Sequence, residues 1–241
     1  MNNSCLVGAP TGTAAFNVNG ETIHSLTGMT CDDNDSDTIV LSESRKESLV
    51  HKFKDCFILI FDERSMIPNS SLGKAERLVS ETVYEGQNHS SVHSWGGIPV
   101  VLVAGDDCQL GAMGECAPDI LPPFTTYKAD KAILRGRQLW KEFATTVYKL
   151  PTVRRVDESR QRDRDLLDRV RIGEGVQDSD VKRSQNLHLN TISMRHGQKA
   201  VDDILKNAIH LFYRNRHRTN HNLVQLSEMN TEDNPTAILK A

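Results

Sequence analysis

A doubly wound α/β fold with a parallel sheet is predicted by two observations. Three short apolar runs each end in a polar or glycine-containing turn, and apolar residues at helical spacing fill the segments between and after them. The runs are Cys5-Leu6-Val7-Gly8-Ala9, Phe57-Ile58-Leu59-Ile60-Phe61, and the stretch from Ile98 to Ala104. Their hydrophobicity is continuous rather than alternating, which marks strands buried on both faces by helices.

The first run leads through Pro10, Thr11 and Gly12 into a small-residue helix start, followed by Thr22-Ile23-His24-Ser25-Leu26. Leu72, Ala75, Leu78, Val79 and Val83 then recur at helical spacing, as do Leu139, Trp140 and Phe143. Leu166, Leu167 and Val170 predict a further helix, and Val201, Ile204, Leu205 and Ala208 another. Residues 30–48 and 173–198 are polar with little periodicity and read as surface loops or insertions. Within the first, the run Asp33-Asn34-Asp35-Ser36-Asp37 lacks a calcium loop's glycine and closing glutamate, since Thr38 and Ser44 stand there; it reads as a solvated loop.

Composition narrows the class. The 241 residues are 38% apolar and 25% charged, with a formal net charge of -3, so a nucleic-acid surface must be a local patch rather than a global field. The five cysteines form no C-x-x-C pair and are expected to be reduced thiols of an intracellular protein. The apolar runs are too short to span a bilayer, and no membrane partner is expected.

The chemistry gathers at strand ends. Asp62-Glu63 closes the second run and places two carboxylates at the carboxyl edge of a parallel sheet, where such folds bind ligands. An ionised pair there can hold Mg²⁺ and orient an attacking water; a plain polar turn is the alternative of similar weight. The third run continues into Gly105-Asp106-Asp107-Cys108-Gln109-Leu110, whose glutamine amide can sense a phosphate or position water. Thr11-Gly12 at a helix start offers a hydroxyl and free N–H groups suited to a phosphodiester backbone. His24 alone reads as a packed or surface histidine.

In order, the segments Ala9–Phe16, Thr22–Ser25, Ile58–Met66, Gly96–Leu110 and Leu150–Arg155 resemble the Pif-type (petite-integration-frequency) ATP-dependent DNA helicases of superfamily one, over roughly residues 5–226. The resemblance implies a RecA-like P-loop NTPase fold truncated at its N-terminus. Residues 1–148 would form a first motor domain without its P-loop, and 149–241 the beginning of a second. It implies Asp62 as the Mg²⁺ carboxylate, Glu63 as the residue activating water, and Gln109 and Arg155 as contacts to the transferring phosphate of ATP. Thr11, Gly12 and His24 fall in segments that touch single-stranded DNA. Ala208-Ile209-His210-Leu211-Phe212 resembles a conserved strand of the second motor domain. The implied activity is 5′-to-3′ unwinding of forked duplex DNA in repair, recombination or telomere maintenance, in the nucleus or the mitochondrion.

The chain also departs from that pattern. No G-x-x-x-x-G-K-[ST] occurs, and Gly73-Lys74 lacks the surrounding residues of such a loop. The 241 residues are therefore expected to be inactive by themselves, and a non-catalytic remnant that at most binds nucleic acid is a competing reading; a RecD-like motor is a third. Arg64 replaces an apolar residue, Asp107-Cys108 an aromatic pair, and Gly111-Ala112 a Pro-Pro. Arg64 is expected to form a salt bridge with a neighbouring carboxylate, and the changes after Gly105 to loosen their loop. The Arg154–Arg171 stretch reads as a solvated helix with i,i+4 ion pairs. The basic residues around His210, Arg214, Arg216 and Arg218 read equally as a phosphate-tracking patch or an exposed helix terminus.

Overall fold

A computed structural model describes residues 4–30, 41–87, 93–112, 131–150 and 160–229. The chain divides into two compact units, Met1–Glu158 and Ser159–Ala241.

The first unit is built on a four-stranded, wholly parallel sheet of order β2-β1-β3-β4, from β1 (Cys5–Ala9), β2 (Glu21–Thr22), β3 (Ile58–Phe61) and β4 (Val100–Val103). The three apolar runs are β1, β3 and β4, shortened by a residue or two at the ends of the last two. The two-residue β2 is too short and polar to show a strand pattern; it exists because Gly8 and Ala9 pair with Glu21 and Thr22. The chain turns to opposite sides of β1 to place β2 and β3, so the carboxyl ends of β1 and β3 flank a topological switch point of this sheet.

Helices α1 (Gly12–Asn17), α2 (Ile23–Thr27), α3 (Glu43–Phe53), α4 (Asn69–Gln87) and α5 (Lys131–Phe143) complete this unit. The apolar stripe of α4 is its buried face: Leu72, Ala75, Leu78, Val79 and Val83 join Leu59 and Phe61 of β3 in the core, with Leu139 and Trp140 of α5. Gly73 faces α5 at such close range that a Cβ there would collide with the carbonyl oxygen of Ala132. Gly136 of α5 meets the Asn69 carbonyl in the same way. The Gly73-Lys74 pair is thus part of a helix–helix contact.

Residues 43–48 are helical rather than loop, a correction to the sequence reading. Glu43 lies in the first turn of α3 and His51 and Lys52 in its last, in line with the helix dipole, and the helix buries Leu49 and Phe53. The acidic run 33–37 lies outside the described residues.

In the second unit the described elements are all helical: α6 (Gln161–Ile172), α7 (Asp178–Asn186), α8 (Leu189–His196), α9 (Gln198–Asn207) and α10 (Asn215–Met229). Helices α7 and α8 replace the loop expected over 173–198. Each is shorter than the window in which apolar periodicity is legible, and α7 starts on a capping box formed by Gln177 and Asp180. The helix expected around Leu166 is α6, and two ion pairs join it to α7. Arg169 donates to Asp180 at 2.6 Å and Arg183 lies 2.8 Å from Asp163. The segment Ala208–Phe212 carries no strand, against the expectation from resemblance; no neighbouring strand among the described residues of this unit offers it a ladder. Its Ile209 and Leu211 are exposed, while the rings of His210 and Phe212 gather with His221 of α10.

Candidate active site at the carboxyl edge of the sheet

Parallel pairing sends all four strands toward one edge, and the register fixes what meets there. Ala9 of β1 pairs with Thr22 of β2, so the Thr11 turn and His24 emerge side by side. Gly8 pairs with Phe61 and Phe61 with Val103, which puts Asp62-Glu63 between the Thr11 turn and the loop that begins at Gly105. Thr11, Gly12, His24, Asp62, Glu63 and Gln109 therefore share one edge of one sheet. Arg155 lies outside the described residues.

Asp62 continues the ladder, its N–H donating to the Gly8 carbonyl at 2.9 Å. Glu63 then adopts a left-handed conformation (φ 54°, ψ 50°), which few residues other than glycine take. This residue ends the strand and starts a 3₁₀ turn, Arg64–Met66, held by the Met66 N–H to the Glu63 carbonyl at 3.0 Å. Backbone strain of this kind clusters at functional sites.

Both carboxylates are half-buried, and neither has a hydrogen-bond or ion-pair partner among the described residues. Unclaimed oxygen at a strand end fits a hard divalent cation that takes few protein ligands and keeps water and phosphate oxygens for the rest. Among the described residues no three His, Cys, Asp or Glu side chains converge.

The loop after β4 is fastened to the 3₁₀ turn rather than loosened, which corrects the expectation from its unusual residues. The Arg64 N–H donates to the Ala104 carbonyl at 3.0 Å. Its guanidinium grips Asp107 with two hydrogen bonds, one from Nε at 2.8 Å and one from Nη2, so the expected salt bridge is present. Gly105 lies so close to Arg64 that a Cβ would approach its backbone nitrogen to 2.6 Å. Ser65, buried, donates from Oγ to the Leu110 carbonyl at 3.1 Å and accepts at its own carbonyl from the Ala112 N–H at 2.8 Å. A proline in place of Ala112 has no N–H to give. Asp106 shapes the loop from within, accepting from the Cys108 N–H at 3.0 Å and from Gln109 Nε2 at 3.3 Å. Gln109 itself is exposed.

On the other flank, Thr11 is the N-cap of α1. Its Oγ1 accepts from the Ala14 N–H at 3.2 Å, which leaves the hydroxyl proton free to donate outward. Gly12 faces open space, so packing does not require a glycine there. His24, half-buried, sits on α2, which Thr22 caps through the Ser25 N–H at 3.2 Å. Glu21 ties this turn to α3 by accepting from Ser25 Oγ at 2.9 Å and from Lys52 Nζ at 2.9 Å. Burial alone would raise the Glu21 carboxyl, but the Lys52 and Ser25 hydrogen bonds outweigh it and hold it below its ordinary value.

Sequence reasoning missed Ser65, Asp106 and the support behind the sheet at Glu76. An Asp two residues before a turn N–H is a recognisable Asx-turn signal at Asp106. Glu76 lies four residues after Leu72, on the buried stripe of α4, and a charge on that stripe was the available sign of a buried ion pair.

The PIF1-like helicase family matches over residues 1–178. An ATP-dependent DNA helicase Pif1 from Psychrobacter sp. (strain PRwf-1) is 36% identical over 107 residues, 44% of this chain and 15% of that protein. Among solved structures, the Pif1 helicase from Candida albicans matches with a TM-score of 0.61 at 22% identity, over 95% of this chain and 45% of its own. A Pif1 helicase from Bacteroides, in complex with ADP-AlF3 and ssDNA, matches with a TM-score of 0.54 at 21% identity, over 95% and 48%. The two structures bear on the fold, and the chain spans less than half the length of each of these relatives. With the family match covering well over half of the sequence, the chain belongs to the PIF1-like helicases.

Proposed function

We propose that these residues form the metal-holding, water-activating and strand-gripping parts of an ATP-dependent 5′-to-3′ DNA helicase. The observation that carries the reading is the pair of unclaimed carboxylates, Asp62 and Glu63, between the Thr11–His24 edge and the Gln109 loop. Bound Mg²⁺ would neutralise charge developing on the β- and γ-phosphates of ATP. Asp62 is the residue to hold it. Glu63, projecting from the strained turn, orients the attacking water and takes its proton. Gln109 reports the phosphate to its loop, and Arg155 supplies a cation to the transferring group.

Thr11, Gly12 and His24 grip the backbone of single-stranded DNA, and residues 149–241 begin the second motor domain. Work on forked DNA in repair, recombination or telomere maintenance, in nucleus or mitochondrion, is part of this proposal. The test uses a protein carrying these residues behind a Walker-type loop. DNA-stimulated, Mg²⁺-dependent ATP hydrolysis is expected, reduced at least about 10²-fold in Glu63→Gln, with unwinding of 5′-tailed forks. Full turnover in that variant overturns the site, and a preference for 3′ tails overturns the polarity.

One observation favours a second reading. The 241 residues hold no phosphate-cradling glycine loop, so the chain by itself does not hydrolyse ATP and at most binds nucleic acid. DNA-stimulated ATP turnover by the 241-residue chain, lost in Glu63→Gln, excludes it.

A further inference from the structure

We infer that Arg64 and Asp107 are positioning residues: their ion pair is a clasp that sets where the Gln109 loop stands relative to Asp62-Glu63. The inference rests on the helicase reading for its role in turnover, but its geometry stands independently. Arg64 directly follows the two carboxylates, and Asp107 lies two residues before Gln109. The guanidinium meets the Asp107 carboxylate through two nitrogens, and this forked contact fixes orientation as well as distance.

Further contacts on both sides make the pair part of a joint. The Arg64 N–H holds the Ala104 carbonyl, and Gly105 fits against Arg64 only because it has no Cβ. On the far side, Ser65 holds Leu110 and Ala112. Gln109 therefore sits in a loop fastened on both sides of it to residues one or two positions after Glu63. Its amide is also held by Asp106 within the same loop. A movement of Glu63 on nucleotide binding would be carried to Gln109 through this joint.

Arg64 itself competes for another role, a cation placed directly on phosphate. The clasp makes a distinct demand: the pair works with its charges exchanged, whereas a phosphate-binding arginine does not survive exchange.

The first arm of the test needs no turnover. In the 241-residue chain, amide hydrogen exchange of residues 105–112 is compared among the wild type, Arg64→Gln, Asp107→Asn and the exchanged pair Arg64→Asp/Asp107→Arg. Each single variant is expected to speed exchange at Cys108, Gln109 and Ala112 by at least about tenfold with α4 unchanged, and the exchanged pair to recover most of it. Unchanged loop exchange in both single variants overturns the clasp, as does an exchanged pair no slower than the singles.

The second arm uses a protein that carries these residues behind a Walker-type loop. Asp107→Asn is expected to lower kcat on the order of tenfold with little change in KM for ATP, because a displaced group loses alignment rather than binding. The exchanged pair is expected to recover kcat. Loss of turnover in Arg64→Gln alone, with Asp107→Asn normal, assigns Arg64 to phosphate and overturns the positioning role. Absence of wild-type turnover counts against the helicase reading, and the exchange arm still decides the clasp.

Discussion

Glu76, buried on α4, accepts two hydrogen bonds from Arg135 of α5, from Nε at 2.9 Å and from Nη2 at 3.0 Å. The same carboxylate accepts from the Trp95 N–H at 3.1 Å and from Ser80 Oγ at 3.0 Å, and Arg135 also reaches Ser94 Oγ at 2.9 Å. One buried charge thus locks two helices and the turn that leads into β4. Burial alone would raise the Glu76 carboxyl, but the Arg135 hydrogen bonds, the Trp95 N–H and the Arg135 charge reverse this and hold it below its ordinary value. Arg135 is shifted upward in turn, chiefly by its hydrogen bond to Glu76.

A carboxyl lowered in the folded state contributes stability that is complete above its unfolded value and is lost as pH falls through the folded one. The wild type is therefore expected to lose stability below about pH 4.5, partly through this group. Glu76→Gln is expected to cost about 2–3 kcal/mol at pH 7, since it strands a partly buried Arg135, and to flatten the acid slope. Urea unfolding at several pH values measures both; an unchanged acid slope in Glu76→Gln would remove Glu76 from the account.

The α4–α5 contact rests on glycines. Gly73→Ala places a methyl against the Ala132 carbonyl, so the helices must separate. A loss of about 1–3 kcal/mol is expected, read as a lower thermal midpoint. An unchanged midpoint would show that the helices pack less closely.

Gly12 gives the opposite expectation. A Cβ there meets nothing, so Gly12→Ala should leave stability within about 0.5 kcal/mol of the wild type or raise it. If the α1 turn grips a phosphodiester backbone, fluorescence anisotropy should show weaker binding of a single-stranded oligonucleotide by this stable variant. Unchanged affinity in both Gly12→Ala and His24→Ala counts against DNA contact at this edge.

Thr11 has two roles to separate. Thr11→Ala removes the cap on the Ala14 N–H and should cost about 1 kcal/mol. Thr11→Ser keeps the cap and the hydroxyl, so both stability and oligonucleotide affinity should stay near wild type. A Ser variant that binds as poorly as the Ala variant would assign the role to the methyl group.

The cysteines predict a reactivity order. Burial, with Cys5 nearby, pushes the Cys56 thiol up to about 11, whereas Cys5 and Cys108 are exposed. At pH 8 iodoacetamide should label Cys5 and Cys108 in the folded protein and spare Cys56 until the chain unfolds. Mass spectrometry of labelled peptides checks this, and equal labelling of Cys56 and Cys108 in the folded state would contradict it.

The sequence alone determined the strands β1, β3 and β4, because a strand covered on both faces is written as an unbroken apolar run, and it determined α4, because a long amphipathic helix repeats its apolar residues enough times to be read. It also determined the family through the order of five motifs. The short helices α7 and α8 were not legible, since a few turns give too few repeats and caps rather than hydrophobicity mark their starts, and α3 opens on polar residues before its buried Leu49 and Phe53.

Only the tertiary structure decided which residues meet. Nothing in the spacing of Arg64 and Asp107 says that the two unusual residues are each other's partner, 43 positions apart. Parallel pairing of β3 with β4 brings their loops to one edge, and that proximity turns two isolated departures into one contact. The same holds for Gly73: its neighbours in sequence pose the question of a phosphate loop, and the approach of α5 supplies the answer, because the space a side chain would need is already filled.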